Sequence, residues 1–197
     1  MVQPRPTRRA RSASPNRPLT HGAHYLTGWA VRRVLDVIPT QSTELIVDLG
    51  AGLGALTTPL AQRGSRVIAV EQRAGTAIAL RRRVEPYGVT VVQRDIRDFR
   101  WPSTPFRIVA NPPFGLSIWL LRELTQHRPA ALYDARLLLQ RGFIQQLTAP
   151  ARNSRTARWQ QAAEFTELLR LPPDAFVPPP RVGASLLRLQ PRRRARS

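Results

Sequence analysis

The chain has 197 residues, 31 basic against 12 acidic, a formal net charge of +19 and no cysteine. Its length fits one domain, at about 150 residues per domain, with basic appendages. The lack of cysteine excludes disulfide scaffolds, thiolate metal sites and cysteine nucleophiles.

Three histidines, His21, His24 and His127, show no metal-ligand spacing, so no metal is expected. No run approaches the roughly 18 apolar residues of a membrane helix, and no apolar segment follows the basic N-terminus as in a secretory signal. A cytoplasmic, non-membrane chain is the expectation. All of its basic residues are arginine. So large a surplus of cations attracts polyanions, nucleic acid first and an anionic membrane surface second.

Residues 1–18 hold five arginines, four prolines and no acidic residue, which predicts a disordered basic arm. Its Arg8, Arg9 and Arg11 are candidate contacts to nucleic acid. A single domain is expected over 19–190, and 191–197 form a second basic tail. Within the domain, Thr27 can cap a helix carrying Val31, Val34, Leu35 and Ile38 at helical spacing, stopped by Pro39. Leu45–Leu49 reads as a strand entering a glycine-rich turn, and Gly54 to Gln62 as a helix. Strand Arg66–Val70, helix Ala77–Val84, strands Val89–Val92 and Phe106–Ala110, helix Leu116–Gln126 and strand Ala135–Gln140 follow. Phe143 and Arg141 fall on the next helix as packing and surface residues, and Trp29 and Trp119 on apolar helix faces as core. Residues 152–159 read as a loop in which Arg152, Arg155 and Arg158 surround Trp159, either gripping RNA while the tryptophan stacks an unpaired base or lying solvated with the tryptophan packed on the core. Phe165–Arg170 and Ala184–Gln190 form a closing hairpin across the proline-rich stretch 171–180. Repeated strand–helix units predict an α/β fold, a doubly wound, mostly parallel sheet with helices on both faces.

In such a fold the ligand sits beyond the carboxyl ends of the strands. Asp48-Leu-Gly50-Ala-Gly52-Leu-Gly54 follows the first of these strands, and Gly50 and Gly52 allow backbone to approach a ligand closely. Glu71, 21 residues after Gly50, ends the next strand and can accept both ribose hydroxyls of a nucleoside. Asp95, with Ile96 beside it, follows the third and can accept an adenine amine. The turn alone also fits a dinucleotide fingerprint. Turn and two carboxylates together fit one adenosine, as in S-adenosylmethionine, better than the two nucleosides of NAD.

The fourth strand runs into Asn111-Pro112-Pro113-Phe114. Two prolines force an extended path. The carbonyls of Asn111 and Pro112, with the Asn111 side-chain oxygen, can then converge as acceptors for an exocyclic amine. An aromatic amine is a poor nucleophile because its lone pair is delocalised. Acceptors that hold both hydrogens localise that pair and stabilise the charge that develops on nitrogen. Phe114 would stack on an extruded base. Asn111, Pro112 and Phe114 are therefore the candidate catalytic residues.

With these motifs the sequence resembles the ribosomal RNA adenine N6-methyltransferases, which include the Erm macrolide-resistance enzymes and the small-subunit dimethyltransferases. The likeness spans about residues 19–190. His24-Tyr25-Leu26 matches a His-Phe-Leu-type segment, which implies that His24 and Leu26 lie over the methionine end of the cofactor. Asp48–Gly54, Glu71, Asp95 and Asn111–Phe114 match the glycine motif, the ribose and adenine acids and the catalytic tetrapeptide, with Asn111 also touching cofactor. The proline-rich segment from Leu171 to Leu186 matches a stretch that general methyltransferases lack. Ala23 stands where the family commonly has Gln. The chain stops at Ser197 where Erm-type enzymes continue into a helical domain, so the arginine-rich segments are expected to supply part of the RNA grip.

The resemblance implies a Rossmann-like, S-adenosylmethionine-dependent methyltransferase with a seven-stranded sheet, and the net charge, which disfavours self-association, points to a monomer. Asn-Pro-Pro-Phe leans towards the Erm branch. That implies N6-methylation of an adenine in 23S (large-subunit) ribosomal RNA and resistance to macrolide, lincosamide and streptogramin B antibiotics. The alternatives are a small-subunit rRNA dimethyltransferase and a non-catalytic RNA-binding or ribosome-assembly factor of the same fold.

Overall fold

The computed structural model describes residues 24–192, so the arm over 1–18, with Arg8, Arg9 and Arg11, and residues 193–197 of the tail lie outside the described residues. In chain order the elements are β1 (Tyr25–Leu26), α1 (Gly28–Asp36), β2 (Leu45–Leu49), α2 (Thr57–Gln62), β3 (Arg66–Glu71), α3 (Ala74–Val84), β4 (Thr90–Gln93) and β5 (Phe106–Ala110). There follow α4 (Ser117–Thr125), β6 (Leu132–Gln140), α5 (Arg141–Thr148), α6 (Ser154–Ala162), β7 (Ala163–Leu171), β8 (Phe176–Val177) and β9 (Ala184–Pro191).

Seven strands form one sheet in the order β4-β3-β2-β5-β6-β9-β7. β2 through β6 pair in parallel, whereas β9 runs antiparallel to both β6 and β7. The expected hairpin of β7 and β9 is thus present and closes one edge. Strand side chains alternate between two cores, as a period of two requires. Val47, Leu49, Leu137, Leu139, Leu187 and Leu189 pack on one face with Leu120 and Leu124 of α4, Ile144 of α5 and Trp159 of α6. Ile46, Leu138 and Leu186 face the other way, against Val34 and Leu35 of α1 and Leu60 of α2. Burying each such aliphatic side chain contributes about 1.5–3 kcal/mol, which is what holds helices on both faces.

Local chemistry explains the boundaries. The Thr27 hydroxyl accepts from the Ala30 amide and starts α1, which then buries Ala30, Val34 and Leu35. The helix expected from Gly54 begins only at Thr57, because Gly54 has φ +84° and belongs to the turn. A Cβ on Gly54 would come within 2.7 Å of Leu80 Cδ1, so its lack of a side chain lets α3 close on the turn.

Three expectations change. Residues 154–162 are helix, not loop: Asn153 Oδ1 accepts from the Thr156 amide at 2.8 Å and caps α6. Trp29 is 38% exposed on α1 rather than core, whereas Trp119 is half-buried against the main core. Pro191 belongs to β9, so the last strand runs into the expected tail. Among the described residues no helix is long and apolar enough to cross a membrane, and no group of three acidic or imidazole side chains could hold a metal.

Candidate active site

The parallel strands end together, and the turns leaving them carry the chemistry. His24, Leu26, Gly50, Gly52, Glu71, Asp95, Ile96, Asn111, Pro112 and Phe114 all line one cavity of about 340 Å³. Every expected cofactor-binding and catalytic residue is therefore brought to one place.

At the nucleoside end, Glu71 is buried at the tip of β3. One carboxylate oxygen accepts from the Gly52 amide at 3.0 Å and the other from the Arg73 amide at 2.9 Å. A carboxylate has about four acceptor positions, so each oxygen retains one for a ribose hydroxyl. Gly52 has φ +56°, and a Cβ there would lie 3.3 Å from the Tyr25 ring, so the loop and Tyr25 form a cradle that a side chain would fill. The Tyr25 hydroxyl accepts from Arg73 Nη2 at 3.3 Å. Asp95 caps a short 3-10 turn by accepting from the Arg97 amide at 2.8 Å. Its two oxygens also accept from Arg97 Nε at 3.0 Å and Nη2 at 2.7 Å, and these bonds hold its carboxyl below the usual carboxylate range. An ionised Asp95 at the cavity wall is the acceptor an adenine amine needs.

Asp48, inside the same cavity, behaves oppositely. Complete burial pushes its carboxyl up to about 7, and the neighbouring Glu71 charge adds to the rise. The Thr57 hydroxyl donates to it at 2.6 Å and opposes the rise without cancelling it. The folded state therefore holds a proton that the unfolded chain releases near pH 4, and stability contributed there is lost as pH rises through about 7. The unliganded protein should melt at progressively lower temperature as pH rises from about 4 to about 7, and the loss should level off above that. Asp48→Asn should flatten that slope, and equal slopes in thermal melts of the two proteins would refute the assignment.

At the catalytic end, Asn111 Nδ2 donates to the His24 carbonyl at 2.9 Å. One of its two N–H groups is thereby engaged, which fixes the amide so that the Oδ1 acceptor is the group offered to a substrate amine. The carbonyls of Pro113 and Phe114 accept from the Leu116 amide and the Ser117 hydroxyl, whereas the Pro112 carbonyl accepts no hydrogen bond among the described residues. His24 Nδ1 donates to the Pro178 carbonyl at 2.8 Å. The His24 ring lies 5.6 Å from Phe114, which meets Phe176 edge-on at 6.4 Å. β1 pairs antiparallel with β8, Tyr25 opposite Val177 and Leu26 opposite Phe176. The proline-rich segment thus returns against β1 and holds the N-terminal segment beside the catalytic turn.

The sequence motifs contain Asp48, Tyr25, Phe176 and Pro178 without assigning any of them a role of its own, and Arg73 lies outside them. A pair of two-residue strands has no detectable period, so the signal for Phe176 and Pro178 was the three consecutive prolines after Val177. The basic segment is placed elsewhere. α6 leads into β7 where Ala163 opposes Pro191, at the amino ends of the parallel strands, whereas Asn111 lies past their carboxyl ends. Trp159 is 2% exposed, between Phe143 at 6.2 Å and the Arg155 guanidinium at 5.6 Å. It is a core residue and cannot stack a base, which corrects the expectation for that residue.

The cavity, the Gly52 cradle and a carboxylate at the end of each successive strand fit S-adenosylmethionine. A family model for ribosomal RNA adenine dimethylase matches residues 20–196. A ribosomal RNA small subunit methyltransferase A of Verminephrobacter eiseniae is 32% identical, over 95% of this chain and 71% of that protein. An rRNA adenine N-6-methyltransferase of Corynebacterium diphtheriae is 35% identical, over 85% of this chain and 66% of that protein. The chain thus spans about two thirds of the length of the relatives it matches. The crystal structure of the 23S rRNA methyltransferase ErmE shares the fold with a TM-score of 0.76 at 22% identity, over 85% of this chain and 70% of that one. The chain belongs to the ribosomal RNA adenine dimethylase family, S-adenosylmethionine-dependent enzymes that methylate adenine amines of ribosomal RNA.

Proposed function

We propose that this chain methylates N6 of an adenine in small-subunit ribosomal RNA, as a cytoplasmic monomer. The observation that carries the chemistry is the Asn111 amide, anchored through its nitrogen so that an acceptor oxygen is left at the cavity beside Phe114. S-adenosylmethionine, when bound, supplies an electrophilic methyl group. Asn111 Oδ1 and the Pro112 carbonyl accept the two N–H groups of the amine and draw its lone pair out of conjugation. Phe114, backed by His24 and Phe176, stacks on the base and fixes its angle. The methylated ammonium is acidic enough to lose its proton to water, so no residue need act as base. The adenine must be unpaired, because an amine within a duplex cannot reach Asn111.

The small subunit is favoured by similarity to relatives named for that subunit, in Verminephrobacter eiseniae, Leptothrix cholodnii and Bordetella avium. A second reading, 23S RNA with macrolide-lincosamide-streptogramin B resistance, is favoured by the Asn-Pro-Pro-Phe sequence and by the likeness to ErmE.

The test is transfer of labelled methyl groups to protein-free small- and large-subunit ribosomal RNA. Label in small-subunit adenine alone is the expected result. Label in large-subunit adenine would move the protein to the resistance-type reading, and RNA binding with no label in either would leave an assembly factor.

A further inference from the structure

Five arginines on α6, just before it and around its end have no part in the chemistry above: Arg128, Arg152, Arg155, Arg158 and Arg192. Ala162 carbonyl accepts from the Arg192 amide at 2.9 Å, and Arg128 Nη1 donates to the Arg192 carbonyl at 2.6 Å. These bonds tie the loop before β6, the end of β9 and the end of α6 together. α6 is held rigidly by the Asn153 cap and by burial of Thr156 and Trp159. Exposed Arg155 and Arg158 stand on α6, exposed Arg152 just before its Asn153 cap, and the Arg155 guanidinium lies over the Trp159 ring at 5.6 Å.

Among the described residues no ion pair neutralises this surface, and exposed Glu164 at the start of β7 is its one acidic neighbour along the chain. Arg128 and Arg158 donate to backbone carbonyls, and none of the five arginines makes an ion pair among the described residues. The other nearby acids are engaged inwards: Asp134 by Arg107, Arg136 and Arg188, and Glu123 by His127 and Trp101. From Arg141 to Thr166 the single acidic residue is Glu164. Unpaired guanidinium forks match phosphate oxygens in geometry as well as charge.

We propose that these arginines form a second contact surface for the substrate RNA, gripping backbone phosphates remote from the target adenine. The inference rests on the RNA-methylating reading and adds to it where the flanking RNA goes. Ala135 opposes Leu189 on β9, two residues before Pro191, whereas Asn111 follows Ala110, which opposes Leu137. The end of β9 and the catalytic turn are therefore about five strand residues apart, roughly 17 Å at 3.3 Å per residue. Double-stranded RNA modules reach across about 16 base pairs, so one stem flanking an unpaired adenine spans both. Specificity is expected from the catalytic turn and salt-dependent affinity from this surface.

The test compares two RNAs on the full chain: a short hairpin that presents the methylated adenine, and the same hairpin with its flanking stem extended. Binding is followed against salt for the native protein and for the triple variant Arg152→Gln, Arg155→Gln, Arg158→Gln. Native protein should bind the extended RNA at least tenfold more tightly and with the steeper slope. The variant should lose that advantage, its log–log salt slope falling by about one unit per lost phosphate contact, while its affinity for the short hairpin and for S-adenosylmethionine stays unchanged. Because Arg155 packs on Trp159, the double variant Arg152→Gln, Arg158→Gln keeps that contact and should show about two thirds of the effect. An unchanged slope on the extended RNA, or an equal loss on both RNAs, overturns the surface. Absence of methyl transfer to any ribosomal RNA, with the slope difference intact, would sink the enzymatic reading and spare this surface.

Discussion

Replacing Asn111 with alanine should lower methyl transfer by about a hundredfold to a thousandfold while leaving S-adenosylmethionine affinity within a few-fold of native. Two losses combine. The oxygen that accepts from the substrate amine disappears, and removing one preorganised hydrogen-bonding group at a centre of developing charge costs roughly 2.7–4 kcal/mol of transition-state stabilisation. The His24 carbonyl, which accepts from Asn111 Nδ2 at 2.9 Å, also loses its partner and with it the tie between the N-terminal segment and the catalytic turn. Most of the cavity wall that faces the nucleoside, Gly52, Glu71 and Asp95, is untouched, which is why cofactor binding should survive. Asn111→Asp separates the two losses, because it keeps an acceptor at the same place and removes the donor to His24. It should retain more activity than the alanine variant, with kcat lowered rather than KM for the RNA raised. Single-turnover transfer to ribosomal RNA measures both, and an alanine variant within tenfold of native would remove Asn111 from the chemistry.

That residue was legible in the sequence because the fold puts function at strand ends. Once Leu45–Leu49, Arg66–Glu71 and Phe106–Ala110 are recognised as parallel neighbours, the residues that follow each must meet above the sheet. Asp48–Gly54, Glu71, Asp95 and Asn111–Phe114 needed no knowledge of packing for that reason. The β1–β8 pairing beside them did. Tyr25 meets Val177 across 152 positions of sequence, through strands of two residues each, and nothing local in either segment specifies the partner. The protonation of Asp48 was hidden for a different reason. Its raised pKa comes from burial, which the sequence reports only as one acid in an apolar run.

Segment 152–159 shows the limit of reading charge as solvent exposure. Three arginines around a tryptophan look like a loop made for RNA. The Asn153 cap and the burial of Thr156 and Trp159 at a three-residue interval make it an amphipathic helix. The arginines retain the polar face and the tryptophan takes the apolar one, as helical geometry requires. Trp29 errs the other way, an aromatic side chain on a helix whose inward positions are already filled by Ala30, Val34 and Leu35.

The largest stability effect is expected from Asp134→Asn. Asp134 is 2% exposed, and its oxygens meet Arg136 Nε at 2.8 Å, Arg107 Nε at 3.0 Å and Arg188 Nε at 2.8 Å. These arginines come from β6, β5 and β9, so one carboxylate joins three adjacent strands. Arg107 also pairs with Glu44 at 3.2 Å and lies over the Tyr133 ring, whose hydroxyl donates to Glu44 at 2.8 Å. Burial pushes Tyr133 up to about 12, so it remains a donor at any physiological pH. Asparagine preserves the shape of Asp134 but removes its charge and turns one acceptor into a donor facing a guanidinium. Breaking a buried pair from one side costs about 3–5 kcal/mol, because the remaining charge stays buried without compensation. Against a total of roughly 5–15 kcal/mol for a domain, that is enough to leave the variant partly unfolded at 37 °C. The exposed pair Glu167–Arg170, whose arginine is 62% exposed, provides the control. Its removal through Arg170→Gln should cost no more than about 1 kcal/mol. Urea unfolding of both variants measures the contrast. The network lies at the pole opposite Asn111, so Asp134→Asn molecules that remain folded should bind S-adenosylmethionine with native affinity, and a midpoint within experimental error of native would show that the three arginines find other partners.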